Sequence, residues 1–326
     1  MTLPIAVDAM GGDRAPGEIV AGARQAAAQL GVEVILVGRP DAIAAVDPGN
    51  LPVMAASEVI DMHDDPGTGV RRKKDSSVVR AAEAVRQGRA SAMVSAGNTG
   101  AAMASALLRM GRIRGVARPA IATPIPVPGS TPMVLLDAGA NAECQPEWLV
   151  QFAQMGSAYT RARFGIAEPR VGLLSIGEED TKGNPLVKQA NRLLRQRPDL
   201  RFVGNVEGRD LMTDAVDVVV TDGFTGNVAL KTLEGGMRFV QRALLERLTA
   251  TPELQAAFEV VWPALLPLAT DLDPDTYGGA MLLGVDGVCI ISHGSASAAA
   301  VVNAIAVASE MVAADLVGAL GEAITA

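Results

Sequence analysis

The residues best suited to chemistry sit in short polar loops that follow apolar runs. "SAGNTGA" (95–101), "LLDAGANAE" (135–143), "SIGEEDTKGNP" (175–185), "TDGFTGNVALK" (221–231) and "ISHGSAS" (291–297) join the opening "AVDAMGGD" (6–13). Glycines in such loops let a ligand approach the backbone. Asn98 or Thr99 can cap a following helix, whose first N–H groups favour an anion. Asn227 repeats that arrangement, with Lys231 one turn inside the next helix. Lys182, beside Gly183, is a point charge for phosphate or for a developing oxyanion. Each loop alone also reads as ordinary turn chemistry, and each lysine as a solvated one. Together, all expected on the carboxyl edge of one sheet, they read as the rim of one anion site.

Several chemistries lack their residues. The chain has no G-x-x-x-x-G-K-[ST], no G-x-G-x-x-G after the first strand and no G-x-S-x-G. Cys144 and Cys289 form no C-x-x-C pair, so neither a metal site nor a disulfide framework is implied. Of the two histidines, His63 lies in the charged "DMHDDP" and reads as solvated. His293 reads as a rim residue or as a hydrogen-bonded structural histidine. No covalent nucleophile stands out. A net charge of −8 argues against nucleic-acid binding, which needs an extended basic face.

The elements that must position these loops follow from the hydrophobic pattern. The chain has 326 residues, 49% of them hydrophobic but only 3% aromatic, so the core is built from Ala, Val, Leu, Ile and Met. Apolar runs such as "IAVDA", "VEVILVG", "ASAMVSAG", "MVLLDAG", "RVGLLSIG", "RFVGN", "VDVVVTDG" and "GVCIISHG" alternate with helical stretches at 76–88, 98–110, 146–164, 185–197 and 226–249. That alternation predicts an α/β fold with a parallel sheet covered on both faces. The expected organisation is one unit over 1–326, in one lobe or two, with the Pro-rich 118–132 as the crossing between lobes. The start "MTLPIAVDAM" does not read as a signal peptide, and a reducing cytosol is the expected setting. The uncharged stretch between Asp286 and Glu310 reads as a buried strand and a packed helix rather than a span.

Three surface features have two readings each. The basic runs "VRRKKDSS" (70–77), with Arg71, Arg72, Lys73 and Lys74, and "RMGRIRGVARP" (109–119) are solvated segments or docking patches for an acidic partner. The segment 253–272, with Phe258, Val261, Trp262, Leu265 and Leu266, is a buried helix pair or an exposed apolar tip for a lipid chain or membrane surface.

"AVDAMGGD-x-AP", "RRKK-x-SS", "SAGNTGA", "LLD-x-GAN", "VGLL-x-x-G-x-E-x-x-KGN", "GNVE-x-RD", "DVVVTDGFTGNV-x-LKTLEG", "YGGA" and "HGS" occur in that order, in a match that runs from about residue 5 to beyond 310. This series resembles the phosphate acyltransferase (PlsX) family of bacterial phospholipid synthesis. The resemblance implies a three-layer α/β/α sandwich like that of isocitrate and isopropylmalate dehydrogenases and phosphotransacetylase. It implies that inorganic phosphate attacks the thioester of a long-chain acyl carrier protein, with no cofactor and no metal. It further implies a cytoplasmic homodimer, peripheral to the membrane, whose product a membrane glycerol-3-phosphate acyltransferase consumes. On this reading Lys182 and Asn227 are catalytic. Asp8, Gly11, Gly12, Asn98, Thr99, Gly100, Asp137, Asn141, Asn184, Asp222, Thr225, Gly226, Lys231 and His293 bind phosphate or substrate. The aspartates orient donors rather than take protons. Arg14 stands where the family often has His, which argues against a required side chain there. The alternatives are a short-chain phosphotransacylase using coenzyme A and a non-catalytic acyl-chain-binding protein.

Overall fold

A computed structural model describes residues 3–325. The strands are β1 (Ile5–Asp8), β2 (Val34–Gly38), β3 (Val53–Ala55), β4 (Ala92–Ser95), β5 (Ala120–Ile125), β6 (Met133–Leu136), β7 (Arg170–Leu174), β8 (Arg201–Val206), β9 (Val218–Val220), β10 (Ala280–Leu283) and β11 (Val288–Ile291). The first helices are α1 (Gly17–Leu30), α2 (Pro40–Ala44), α3 (Pro66–Arg72), α4 (Ser77–Arg86), α5 (Thr99–Arg109) and α6 (Pro146–Phe164). After them come α7 (Pro185–Leu194), α8 (Gly223–Leu248), α9 (Pro252–Asp271), α10 (Ala298–Ala313) and α11 (Leu316–Thr325). All eight apolar runs named above contain a strand.

The strands form one 11-stranded sheet in the order β3-β2-β1-β4-β11-β10-β5-β6-β9-β7-β8. Side chains alternate between its faces. Ile5 and Val7 enter one core and Ala6 another, so both faces are covered and the fold is a mostly parallel α/β sandwich. Under α1, α6, α7, α10 and α11 the core is continuous from β2 to β8. On the opposite face it is divided. One part lies under α4 and α5, the other under the start of α8.

Strand directions correct the expectation of a single rim. β1, β4 and β11 run parallel. β10 is antiparallel to β11 and to β5, and β5 is antiparallel to β6. β6, β9 and β7 are parallel to one another and therefore run opposite to the β1 half. The loops after β1, β4 and β11 thus leave one edge of the sheet, and those after β6, β7 and β9 leave the other.

The Pro-rich segment also differs from its expected role as a bare crossing, because its first half is β5, inside the sheet. β10 pairs only with Ala120, Ile121 and Ala122, so Pro124 lies where β5 is free on one side and needs no ladder N–H there. The apolar segment before residue 310 packs as expected: β11 is wholly buried and α10 buries Val301, Ile305 and Ala308. No single described helix is long and apolar enough to cross a membrane. The α10–α11 pair reaches that apolarity together but is bent by 57°. By contrast α9 buries no residue: Val261 is 51% exposed and Leu266 49%. The buried-pair reading of 253–272 is therefore excluded, and the segment is exposed.

Candidate active site

Two buried aspartates organise the loops. Asp8 ends β1 and is 2% exposed. Ser95 Oγ donates to its carboxylate at 2.7 Å, the Met10 N–H donates at 3.3 Å, and the Gly97 N–H donates to Ser95 Oγ at 3.1 Å. Burial pushes the Asp8 carboxyl above its ordinary pKa, while hydrogen bonds from Ser77, Ser95, Met10 and Gly11 pull it down. A Cβ on Gly11 would lie 2.5 Å from Asp8 Oδ2 and 2.8 Å from Gly97 N, so this close crossing of two loops takes only glycine. Gly12, at φ +113°, sits against the Ala96 and Gly294 carbonyls.

Asp137, just past β6, repeats the device. Its Oδ1 accepts from the N–H groups of Ile121, Gly139 and Ala140 at 3.0, 3.1 and 2.9 Å. Its Oδ2 accepts from the backbone N–H and Nδ2 of Asn141, both at 2.8 Å. Burial raises this carboxyl too, against those donors. Asn141 Nδ2 also donates to the Pro119 carbonyl at 2.8 Å. A Cβ on Gly226 would lie 1.9 Å from the Asp137 carbonyl oxygen, so α8 starts hard against this loop.

Several expected binding residues serve as caps. Asn98 Oδ1 accepts from the Ala101 N–H at 3.0 Å, and its Nδ2 donates to the Met62 and Asp64 carbonyls. Asn98 therefore caps α5, which leaves Thr99 exposed. Gly100 packs on the Pro66 ring. Asn184 accepts from the Val187 N–H at 2.9 Å and caps α7. Asp222 accepts from the N–H and Oγ1 of Thr225, each at 2.8 Å, and caps α8.

A cleft opens where the second face of the core is divided. Its floor is the bare face of β5 and β10, with Ile121, Thr123, Ile125 and Ala280. One wall carries Thr99, Ser292 and His293 from the loops after β4 and β11. The other carries Ala138 after β6, and Asn227, Leu230, Lys231, Leu233, Glu234 and Met237 on α8. Asp275 and Tyr277 close one side. Loops leaving opposite edges thus meet over the sheet face. Of the expected site residues this cleft gathers Thr99, Asn227, Lys231 and His293.

Lys231 Nζ is held by Glu234 at 2.8 Å. The Ser295 N–H donates to His293 Nδ1 at 3.2 Å, so the neutral ring carries its proton on Nε2. Lys182 does not line the cleft. It lies exposed in the loop after β7, beside the loop that starts α8, and has no ion-pair partner among the described residues. In the basic run, Lys73 is engaged with Asp64 at 2.6 Å and with the Val59 carbonyl, while Arg71, Arg72 and Lys74 are exposed. Both thiols are pushed up to about 12 by burial, Cys289 completely enclosed, so neither is a ready thiolate.

Thr123, Ser292, Asp275, Tyr277 and Met237 also line the cleft and were not singled out from sequence. Tyr277 opens the "YGGA" string, and Thr123 alternates with Ile121 and Ile125, which a period-two count over 120–125 would have detected.

The fatty acid synthesis protein family matches residues 3–318. The chain belongs to that family. It is 50% identical over 325 residues to the phosphate acyltransferase of Heliobacterium modesticaldum, covering 98% of this chain and 96% of that one. It is 48% identical over 314 residues to the phosphate acyltransferase of Nostoc punctiforme, covering 94% and 92%. As a member of this family the chain is an acyltransferase enzyme. Its fold matches that of a phosphotransacetylase from Streptococcus pyogenes, with a TM-score of 0.64 at 16% identity over 96% of this chain and 94% of that one. It also matches a 4-hydroxythreonine-4-phosphate dehydrogenase from Klebsiella pneumoniae, with a TM-score of 0.55 at 13% identity over 95% and 100%.

Proposed function

We propose that this enzyme transfers a long-chain acyl group from the thioester of an acyl carrier protein to inorganic phosphate. A phosphate oxygen forms a bond to the thioester carbonyl carbon. The resulting tetrahedral oxyanion collapses, the C–S bond breaks, and the carrier thiolate leaves and takes up a proton. The products are acyl phosphate and free carrier. The observation that carries this reading is the cleft itself, which brings polar donors from two sheet halves around one apolar floor.

Phosphate needs little activation, because its second pKa lies near neutrality and a substantial fraction is already dianionic there. The enzyme's contribution is to hold it against the carbonyl and to stabilise the oxyanion. Asn227 and Thr99 donate to phosphate and oxyanion, and His293 Nε2–H is a further donor. Lys182 supplies positive charge from the neighbouring loop on the edge that carries Asn227. Asp8, Asp137 and Asp222, with Gly11, Gly12, Asn98, Gly100, Asn141, Asn184, Thr225 and Gly226, hold the loops that present these groups, and Lys231 is restrained by Glu234. The raised thiol pKa values support direct attack by phosphate over a cysteine intermediate.

The carrier docks through the exposed members of the basic run, Arg71, Arg72 and Lys74. The exposed apolar face of α9, with Val261, Trp262, Leu265 and Leu266, rests on a membrane surface. Residues 1–326 act as one unit within a homodimer, and a membrane glycerol-3-phosphate acyltransferase takes the product. Incubation of palmitoyl-carrier with phosphate tests the reaction: a new acyl-phosphate ³¹P resonance should rise in step with free thiol. Thiol release without that resonance would mean hydrolysis instead.

A further inference from the structure

Two buried amides reach the exposed loop that carries Lys182. Residues 178–182 are all exposed, so no burial of apolar side chains fixes them. Asn191 on α7 is 2% exposed and Asn205 on β8 is 6% exposed. An amide so enclosed is unfavourable unless its hydrogen bonds are made, and here they are made to one another and to this loop. Asn205 Nδ2 donates to the Glu179 carbonyl at 2.9 Å. The same carbonyl accepts the Lys182 N–H, also at 2.9 Å. Asn205 is therefore one carbonyl away from the backbone of Lys182.

The hydrogen bonds run in one direction. The Glu179 carbonyl can only accept, so Asn205 turns its Nδ2 to it and its Oδ1 away. That Oδ1 accepts from Asn191 Nδ2 at 2.9 Å, and Asn191 Nδ2 also reaches Asp180 Oδ1 at 3.3 Å. Asn191 Oδ1 accepts from Arg195 Nε at 3.1 Å, and a guanidinium can only donate. Arg195 also pairs with Asp180. Each amide thus has one orientation that satisfies its neighbours. Within the loop the Lys182 stem lies against Gly177, where a Cβ would come 2.8 Å from Lys182 Cγ. Gly183, at φ +95°, then turns the chain into the Asn184 cap of α7.

We infer that Asn205 is a positioning residue for Lys182, acting through the Glu179 carbonyl, with Asn191 and Arg195 holding its amide in orientation. The inference rests on the part given to Lys182 in the proposed transfer. It also gives a purpose to "GNVE-x-RD", whose second residue is Asn205 and none of whose residues lines the cleft. A lysine on a fixed turn presents its charge at one place, and small misplacements of such a group cost large factors in rate.

The test is a double-mutant cycle between Asn205→Asp and Lys182→Ala, assayed with palmitoyl-carrier and phosphate. The aspartate keeps the volume and the acceptor and removes the donor to Glu179. Asn205→Asp should lower kcat by about tenfold or more and leave KM for the carrier within about twofold, since the proposed docking residues lie outside this loop. In the Lys182→Ala background the same change should alter kcat by less than about twofold, because the lysine it serves is gone. A general loosening of the fold would instead multiply the two losses. Arg195→Ala covers the case in which Asn205→Asp does not fold, because Arg195 is exposed and anchors the far end of the series. It should lower kcat by about threefold, again only when Lys182 is present. Unchanged kcat in folded Asn205→Asp, or in Arg195→Ala where that variant stands alone, would overturn the assignment, as would losses that multiply. Normal turnover in Lys182→Ala would remove the role of Lys182, and the inference with it, while acyl transfer stood. An unmodified enzyme without phosphate-dependent thiol release would fail the acyl-transfer reading itself.

Discussion

Asp8 and Asp137 occupy matching stations in the two halves of the sheet. Each stands at the end of a buried strand, is followed by alanine and a nearby glycine, and spends its carboxylate on hydrogen bonds that fix a loop. Both carboxylates are buried and engaged by these donors, which suits them to positioning rather than to contact with substrate. In the proposed reaction the chemistry falls to Asn227, Thr99, His293 and Lys182. Asn227→Ala should reduce kcat by about a hundredfold while the melting temperature holds, since the side chain is exposed and its loss leaves no cavity. Lys182→Ala should cost a similar factor, and near-normal turnover in a folded Lys182→Ala protein would remove this lysine from the mechanism. A separate pair governs acid stability. Burial works to raise Asp217, but hydrogen bonds from the Arg170 side chain and N–H outweigh it and hold the carboxyl below its usual value. A depressed folded pKa contributes stability that is present above about 3.9 and is lost as pH falls through the folded value. Asp217→Asn should therefore lower the melting temperature at pH 7, and the gap to the unmodified protein should close below about pH 4.

At the scale of elements, α8 carries more of the site than any other. Its cap is Asp222 rather than Asn227, the residue the sequence reading sets at the helix entrance, so α8 starts at Gly223, three residues before the expected 226–249, and ends at Leu248. Its tight approach to Asp137 was not recognisable, because Gly226 in "TDGFTGN" also reads as a generic turn glycine. Gly226→Ala should displace the helix start from the Asp137 carbonyl. The expected result is a loss of about 1–3 kcal/mol in stability together with most of the activity. The same protein with unchanged melting and turnover would show that the approach is looser than 1.9 Å between that Cβ position and the carbonyl oxygen. Helix α9 makes the opposite prediction. Exchanging Val261, Leu265 and Leu266 for serine removes exposed apolar surface, so stability should stay within about 0.5 kcal/mol. Sedimentation with anionic lipid vesicles should fall sharply for that variant, and unchanged sedimentation would detach α9 from membrane binding.

At the scale of the whole molecule, the sheet reverses direction in its middle, and the site exists because of that reversal. Strand identity was legible in the sequence wherever an apolar run was bounded by Gly, Asp or Asn, as in "MVLLDAG" and "GVCIISHG". The reversal was not legible, because it is made by β10 and β5. The first is a four-residue run between glycines, and the second lies inside a Pro-rich stretch that hides its pattern. Without them the loops after β4 and β9 would share an edge. With them, those loops come from opposite edges and converge over a bare strip of sheet between two cores. Lys182 remains the residue whose role the fold constrains least, since its loop neighbours the cleft without lining it. The central claim is that this convergence serves phosphate attack on a long-chain thioester. It is tested most directly by following carrier thiol release from palmitoyl-carrier with and without phosphate, and from acetyl-coenzyme A under the same conditions. The account predicts release from palmitoyl-carrier that depends on phosphate and little or none from acetyl-coenzyme A. Release that ignores phosphate, or that favours acetyl-coenzyme A, would contradict it.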